Sequence, residues 1–108
     1  MIDSWTDSEK KIARRVYEAA LAAELSEVIS EVRARASRVQ VPEDAWALEE
    51  FLRTRRIEID QKYDYRYSQL VMLFGRLLLE GRIHDTDLDG LSDEKCRKIR
   101  LIEAVARS

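Results

Sequence analysis

The chain has 108 residues, 45% of them hydrophobic and 37% charged, with three glycines, one proline and a formal net charge of −2. That length suits one domain, the apolar content argues against disorder, and scarce glycine and proline beside so much charge favour helix almost throughout. Both signs of charge are interspersed, which leaves no footprint for nucleic acid or an anionic membrane, and a lone Cys96 excludes an intrachain disulfide.

The opening residues, MIDSWTDSEKK, hold no apolar signal core. No apolar run approaches the ~20 residues of a spanning helix. A cytoplasmic protein without membrane insertion is expected. Thr6 and Glu9 have capping-box spacing, in which each side chain satisfies the other's free backbone donor. No breaker follows before Pro42, so one helix is predicted from Asp7 to Val39. Its apolar stripe begins with Ile12, Val16, Ala19 and Ala23 and continues through Leu25, Val28, Ile29, Val32, Ala36 and Val39. A helix of ~33 residues extends about 50 Å, whereas a compact chain of this size is roughly 34 Å across. Burying that length requires a long hairpin or a second copy of the chain. Arg33, Arg35 and Arg38 crowd the end of this helix, and Glu43, Asp44, Glu49 and Glu50 crowd the start of the next. A turn at Gln40–Val41 is therefore expected to set these opposite charges side by side in an antiparallel pair.

Pro42 suits a first helical position, and Glu43 and Asp44 suit the positive helix start, which places a second helix from Pro42 to about Lys62 or Tyr63. This helix has two apolar faces. At about 100° per residue, Leu48, Phe51, Leu52 and Ile59 gather on one side. Trp46, Glu50, Arg53 and Ile57 gather on the other. A tryptophan and an isoleucine flanked by a carboxylate and a guanidinium predict a surface that another chain covers.

Asp64 is the expected N-cap of a third helix over Tyr65–Glu80, closed by Gly81, although no proline or glycine forces a break before it. That helix is apolar nearly all round and should form a core. Arg82 to Gly90 reads as a loop. Its Asp85, Asp87 and Asp89 alternate as in a calcium loop, but Arg97 and Lys98 stand where the bidentate glutamate belongs. Ser92 caps a last helix that is expected to bury Ile99 and Ile102, with Leu101 and Val105 as further candidates, and to end in Arg107.

Chemistry-bearing motifs are sparse. His84 and Cys96 are single copies twelve residues apart with no motif around either. There is no phosphate-cradling glycine loop and no His/Cys set with zinc spacing. No catalytic residue, cofactor or metal site is assigned. Arg53, Arg55 and Arg56 near Tyr63, Tyr65 and Tyr67 could grip a nucleic acid, but Glu49, Glu50, Glu58, Asp60 and Asp64 are interleaved and would repel its backbone.

The run Asp44-Ala45-Trp46-Ala47-Leu48, then Glu49-Glu50-Phe51-Leu52, then Arg55-Arg56-Ile57-Glu58-Ile59-Asp60-Gln61-Lys62-Tyr63-Asp64 resembles the fluorescence recovery protein family of photoprotection regulators. The similarity extends nearly end to end, from Trp5-Thr6-Asp7 to Lys98-Ile99-Arg100. It implies an all-α fold in which two long helices, over 1–64, form a stalk that dimerises antiparallel, and shorter helices, over 65–108, form a head. It also implies a non-enzymatic regulator that binds the photoactivated orange carotenoid protein through that partner's C-terminal domain and speeds its return to the resting orange form. The partner-binding residues carried over are Trp46, Glu50 and Arg56 on the stalk and Lys98 on the head. Glu49 stands where the family has histidine, Glu50 where it has aspartate, and Met72 where it has a head phenylalanine. A dimeric adaptor of the same fold with a different protein partner is the alternative expectation.

Overall fold

The computed structural model describes residues 4–108 and is all-helical, with no strand among the described residues. Four α-helices and one 3₁₀ turn follow in order: α1 Asp7–Ala36, α2 Pro42–Lys62, α3 Tyr67–Leu79, the turn Asp85–Leu88, and α4 Asp93–Arg107. The contacts divide the chain into two compact units. One takes the described residues up to Ala20 with Asp64–Ser108, and the other is Leu21–Tyr63.

In the first unit, α1 starts as its sequence requires. Thr6 N–H donates to Glu9 Oε1 at 3.0 Å and Glu9 N–H donates to Thr6 Oγ1 at 3.1 Å, which closes the capping box. The buried line along this part of α1 is Ala13, Val16 and Ala20; Ala19 and Ala23, expected in the stripe, are exposed. Helix α3 supplies more of the core than any other element, with Leu70, Leu73, Phe74, Leu77 and Leu78 buried, and packs against α4. Ile83, Leu88, Leu91 and Ile99 complete it.

The end of α3 is a Schellman closure. Gly81, at φ 73°, donates its N–H to Leu78 O at 3.0 Å, and Arg82 N–H reaches Leu77 O at 2.9 Å. Ser92 Oγ then accepts from Lys95 N–H at 3.2 Å to cap α4. Of the residues expected inside α4, Ile99 is fully buried and Ile102 is half-buried. Leu101 and Val105 are instead exposed, Leu101 at 60%. Two positions beyond Ile99, Leu101 is turned about 200° around the helix and faces away from that core.

Two boundaries differ from expectation by two residues or more. Helix α1 ends at Ala36 and not Val39, because Arg38 and Val39 N–H bond three residues back and the Ser37 hydroxyl donates to Ala34 O at 2.7 Å. Pro42 also holds Val41 extended, at φ −130° and ψ 161°. Helix α3 starts at Tyr67, two residues late. Asp64 is not its N-cap, since its carboxylate is occupied by the Arg66 guanidinium, which holds its pKa below the usual carboxylate value. The chain is thereby broken between α2 and α3 without a proline or glycine.

Candidate functional site

The second unit sets the later part of α1 beside α2. In the connection, Asp44 reaches back from the first turn of α2, and its Oδ2 accepts from Gln40 N–H at 3.0 Å and Val41 N–H at 3.3 Å. The expected ion pairs between the two helices are not how the charges are used here. Arg35 pairs with Glu31 of its own helix at 3.1 Å and lies over the Phe51 ring at 4.0 Å. Arg53 pairs with Glu49 at 2.7 Å. Partners four residues apart on one helix are already in reach, so the local pair wins.

Helix α2 is tied down along one side only. Phe51 is half-buried, Ile59 is buried, and near its end lies a polar knot that the sequence reading missed. Glu24, 3% exposed, accepts at Oε1 from Lys62 Nζ and from Tyr63 Oη, each at 2.8 Å, and Arg55 approaches its Oε2 at 3.5 Å. Glu24 sits four residues after Ala20 on the buried α1 line, and that position was the available signal.

The opposite side of α2 is open. Trp46 is 69% exposed and Ile57 50%, and Glu50 and Arg53 on the same face are exposed too. Trp46 thus presents an apolar ring in water, the residue type most enriched at interface hot spots. A groove of about 440 Å³ runs alongside, with Leu25 and Val28 of α1 and Leu52 and Ile59 of α2 as apolar lining and Glu49, Arg53, Arg56 and Asp60 as charged lining. Leu25 and Ile29 are also open, so the unit leaves apolar surface on both of its helices.

Of the sequence-derived site residues, Trp46 and Arg56 lie on the open half of α2, Arg56 beside the groove. The Arg56 side chain is 85% exposed and only grazes Asp60 at 3.9 Å. The pairing of Glu50 with Arg56 that the sequence permitted is not made. Six residues apart, they are separated by roughly 120° around the helix and about 9 Å along it. Lys98 is exposed on α4, in the other unit.

The remaining candidates have ordinary structural partners. Asp85 pairs with Arg100 at 3.1 Å and Asp87 accepts from His84 N–H at 2.8 Å. No group of three or more potential metal ligands occurs among the described residues. The Cys96 thiol faces Leu88 O and Leu91 O at 3.8 Å, and burial pushes its pKa up, away from the nucleophilic thiolate. No described helix is long and apolar enough to cross a membrane.

The fold, with its exposed α2 face, defines an all-α protein close in structure to proteins already solved. The fluorescence recovery protein of Fremyella diplosiphon superposes with a TM-score of 0.88 at 39% identity, over 94% of this chain and 99% of that one. The fluorescence recovery protein of Synechocystis sp. PCC 6803 does so with 0.88 at 34% identity, over the same shares. In sequence, the Synechocystis fluorescence recovery protein is 35% identical over 98 residues, 91% of this chain and 90% of that protein. The family model described as photoprotection regulator fluorescence recovery protein matches residues 5–103. The chain belongs to that family.

Proposed function

We propose that this protein is a dimeric regulator that binds the photoactivated orange carotenoid protein and accelerates its return to the resting orange form, without catalysing a reaction of its own. The reading is carried by the open α2 face, with Trp46 69% exposed in a chain that belongs to a family of photoprotection regulators. Trp46 supplies desolvated apolar contact, Glu50 and Arg56 supply charge pairs that orient the partner, and Lys98 makes a second, outlying contact from the 65–108 segment. Such a helper needs only to bind the route to the compact partner state more tightly than the open state. The apolar surface of α1 and α2 is where two copies pair.

The test is to mix the purified protein with photoactivated carotenoid protein and to follow recovery of the orange absorption. Wild type shortens recovery in proportion to its concentration, and Trp46→Ala and Arg56→Glu each lose most of that effect. No acceleration at large excess would overturn the activity. Full acceleration by both variants would overturn the site alone.

A further inference from the structure

The first unit carries an arrangement that α2 does not explain. Lys10, Lys11, Arg14 and Arg15 fill two consecutive turns near the start of α1 and line one groove with Tyr65 and Tyr67. Lys10 with Arg14, and Lys11 with Arg15, are like charges four residues apart, a spacing that destabilises a helix. Their own unit does little to offset this. Arg14 meets Glu18 only at 3.8 Å, and Lys10, Lys11 and Arg15 have no ion-pair partner among the described residues.

The aromatic side of the groove holds the cations in place. The Arg14 guanidinium lies 3.8 Å above the Tyr65 ring and Lys10 Nζ lies 5.4 Å from the Tyr67 centroid. Tyr65 is fixed edge-on to Tyr17 at 4.7 Å and Tyr67 is tilted against Trp5 at 5.6 Å. The Tyr65 hydroxyl, screened from solvent, has no partner at hydrogen-bonding geometry among the described residues. A stacked guanidinium keeps its planar fork available for a carboxylate.

We infer that this groove is a second docking surface, for a short acidic segment of a protein partner. Lys10 to Arg15 covers about 7.5 Å of helix axis, the reach of two or three residues of extended peptide at ~3.3 Å each. The chain as a whole carries a net charge of −2, and Glu18 lines the same groove. A long polyanion such as nucleic acid therefore gains at this patch and is repelled beyond it, whereas a short run of Asp or Glu can lie along Lys10 to Arg15 and stop short of Glu18. The surface stands independently of the α2 reading, and Trp46→Ala is expected to leave it unchanged.

Fluorescence anisotropy of a fluorescein-labelled hexaglutamate peptide, titrated with the full chain at low salt, tests it. Wild type binds, and binding fades as salt rises to about 200 mM because exposed pairs are screened. Lys11→Glu with Arg15→Glu lowers affinity by about tenfold or more, and the neutral pair Lys11→Gln with Arg15→Gln by a smaller factor, whereas Arg38→Glu, in the connection that follows α1, changes it less than about twofold. Arg14→Lys, which keeps the charge and loses the stacked fork, weakens binding several-fold. No binding by wild type, an equal loss from Arg38→Glu, no loss from Arg14→Lys, or tighter binding of a twelve-residue thymidine oligonucleotide than of the peptide would each overturn the assignment.

Discussion

Lys95 and Glu9 show how one buried charge pair can hold a chain terminus. Lys95 Nζ meets Glu9 Oε1 at 3.2 Å and Oε2 at 3.3 Å, donates to Ser4 O at 2.7 Å, and stands 4.9 Å from the Trp5 ring. Glu9 Oε2 also accepts from Ser92 N–H at 2.8 Å, so one carboxylate caps α1 and fastens it to the segment before α4. Burial pushes the Glu9 carboxyl up, but the Thr6 and Ser92 N–H groups and the Lys95 ammonium together hold it below its ordinary 4.5. A carboxyl depressed in the folded state stabilises it above the unfolded pKa and loses that contribution as pH falls through the folded value. Glu9→Gln leaves Lys95 buried without its counterion and costs about 3–5 kcal/mol at neutral pH. Thermal melts of the two proteins from pH 7 to pH 3 are expected to show a gap that begins to narrow as pH falls below about 4.5. Parallel curves would contradict that role.

At the scale of elements, the contact of α3 with α4 turns on Gly75. A Cβ built there would stand 2.5 Å from Ile102 Cγ2, 2.7 Å from Ile102 Cβ and 3.2 Å from Ile99 O. Glycine in a helix interior forgoes ~1 kcal/mol relative to alanine, so its presence marks a place where close approach matters more than propensity. Gly75→Ala is expected to lower stability by about 1–3 kcal/mol in denaturant titration, the opposite sign from an exposed helical site. Ile102→Ala in the same chain should recover part of that loss, as a double-mutant cycle would measure. The helices themselves were legible in the sequence. Thr6, Pro42, Gly81 and Ser92 act as the start and stop signals they resemble, because caps depend on residues near in sequence. The break near Asp64 was expected, but not its cause or its full length, since these depend on an Arg66 guanidinium and on tyrosines whose partners, Trp5 and Tyr17, lie far along the chain.

For the whole molecule, the open apolar residues Leu25, Ile29, Trp46 and Ile57 are the quantity to explain. Exposed apolar surface in contiguous patches marks an interaction site, and the proposed pairing of two copies accounts for the part lying off Trp46. Light scattering across a dilution series is expected to give twice the chain mass at micromolar concentration for wild type. Ile57→Glu, at an exposed position, is expected to halve that mass while circular dichroism keeps its helical signal. A wild-type monomer, or an Ile57→Glu protein that remains dimeric, would remove this face as the interface.

The sequence by itself determined the all-α class, the span of α2, the capping box of α1, and the two opposed faces of α2 on which Trp46 and Ile59 lie. All follow from local signals or from a period of 3.6, which any reader of the chain can count. Only the tertiary structure decided that Glu24 and Lys62 are buried, that Glu9 and Lys95 form a pair, that Leu101 and Val105 stay outside, and that Arg56 is left almost free by Glu50. The helical period puts Glu9 and Glu24 in line with Ala13, Val16 and Ala20, but it does not say whether a charged side chain there is buried. Its place is set by whether a partner from a distant part of the chain arrives within hydrogen-bonding reach.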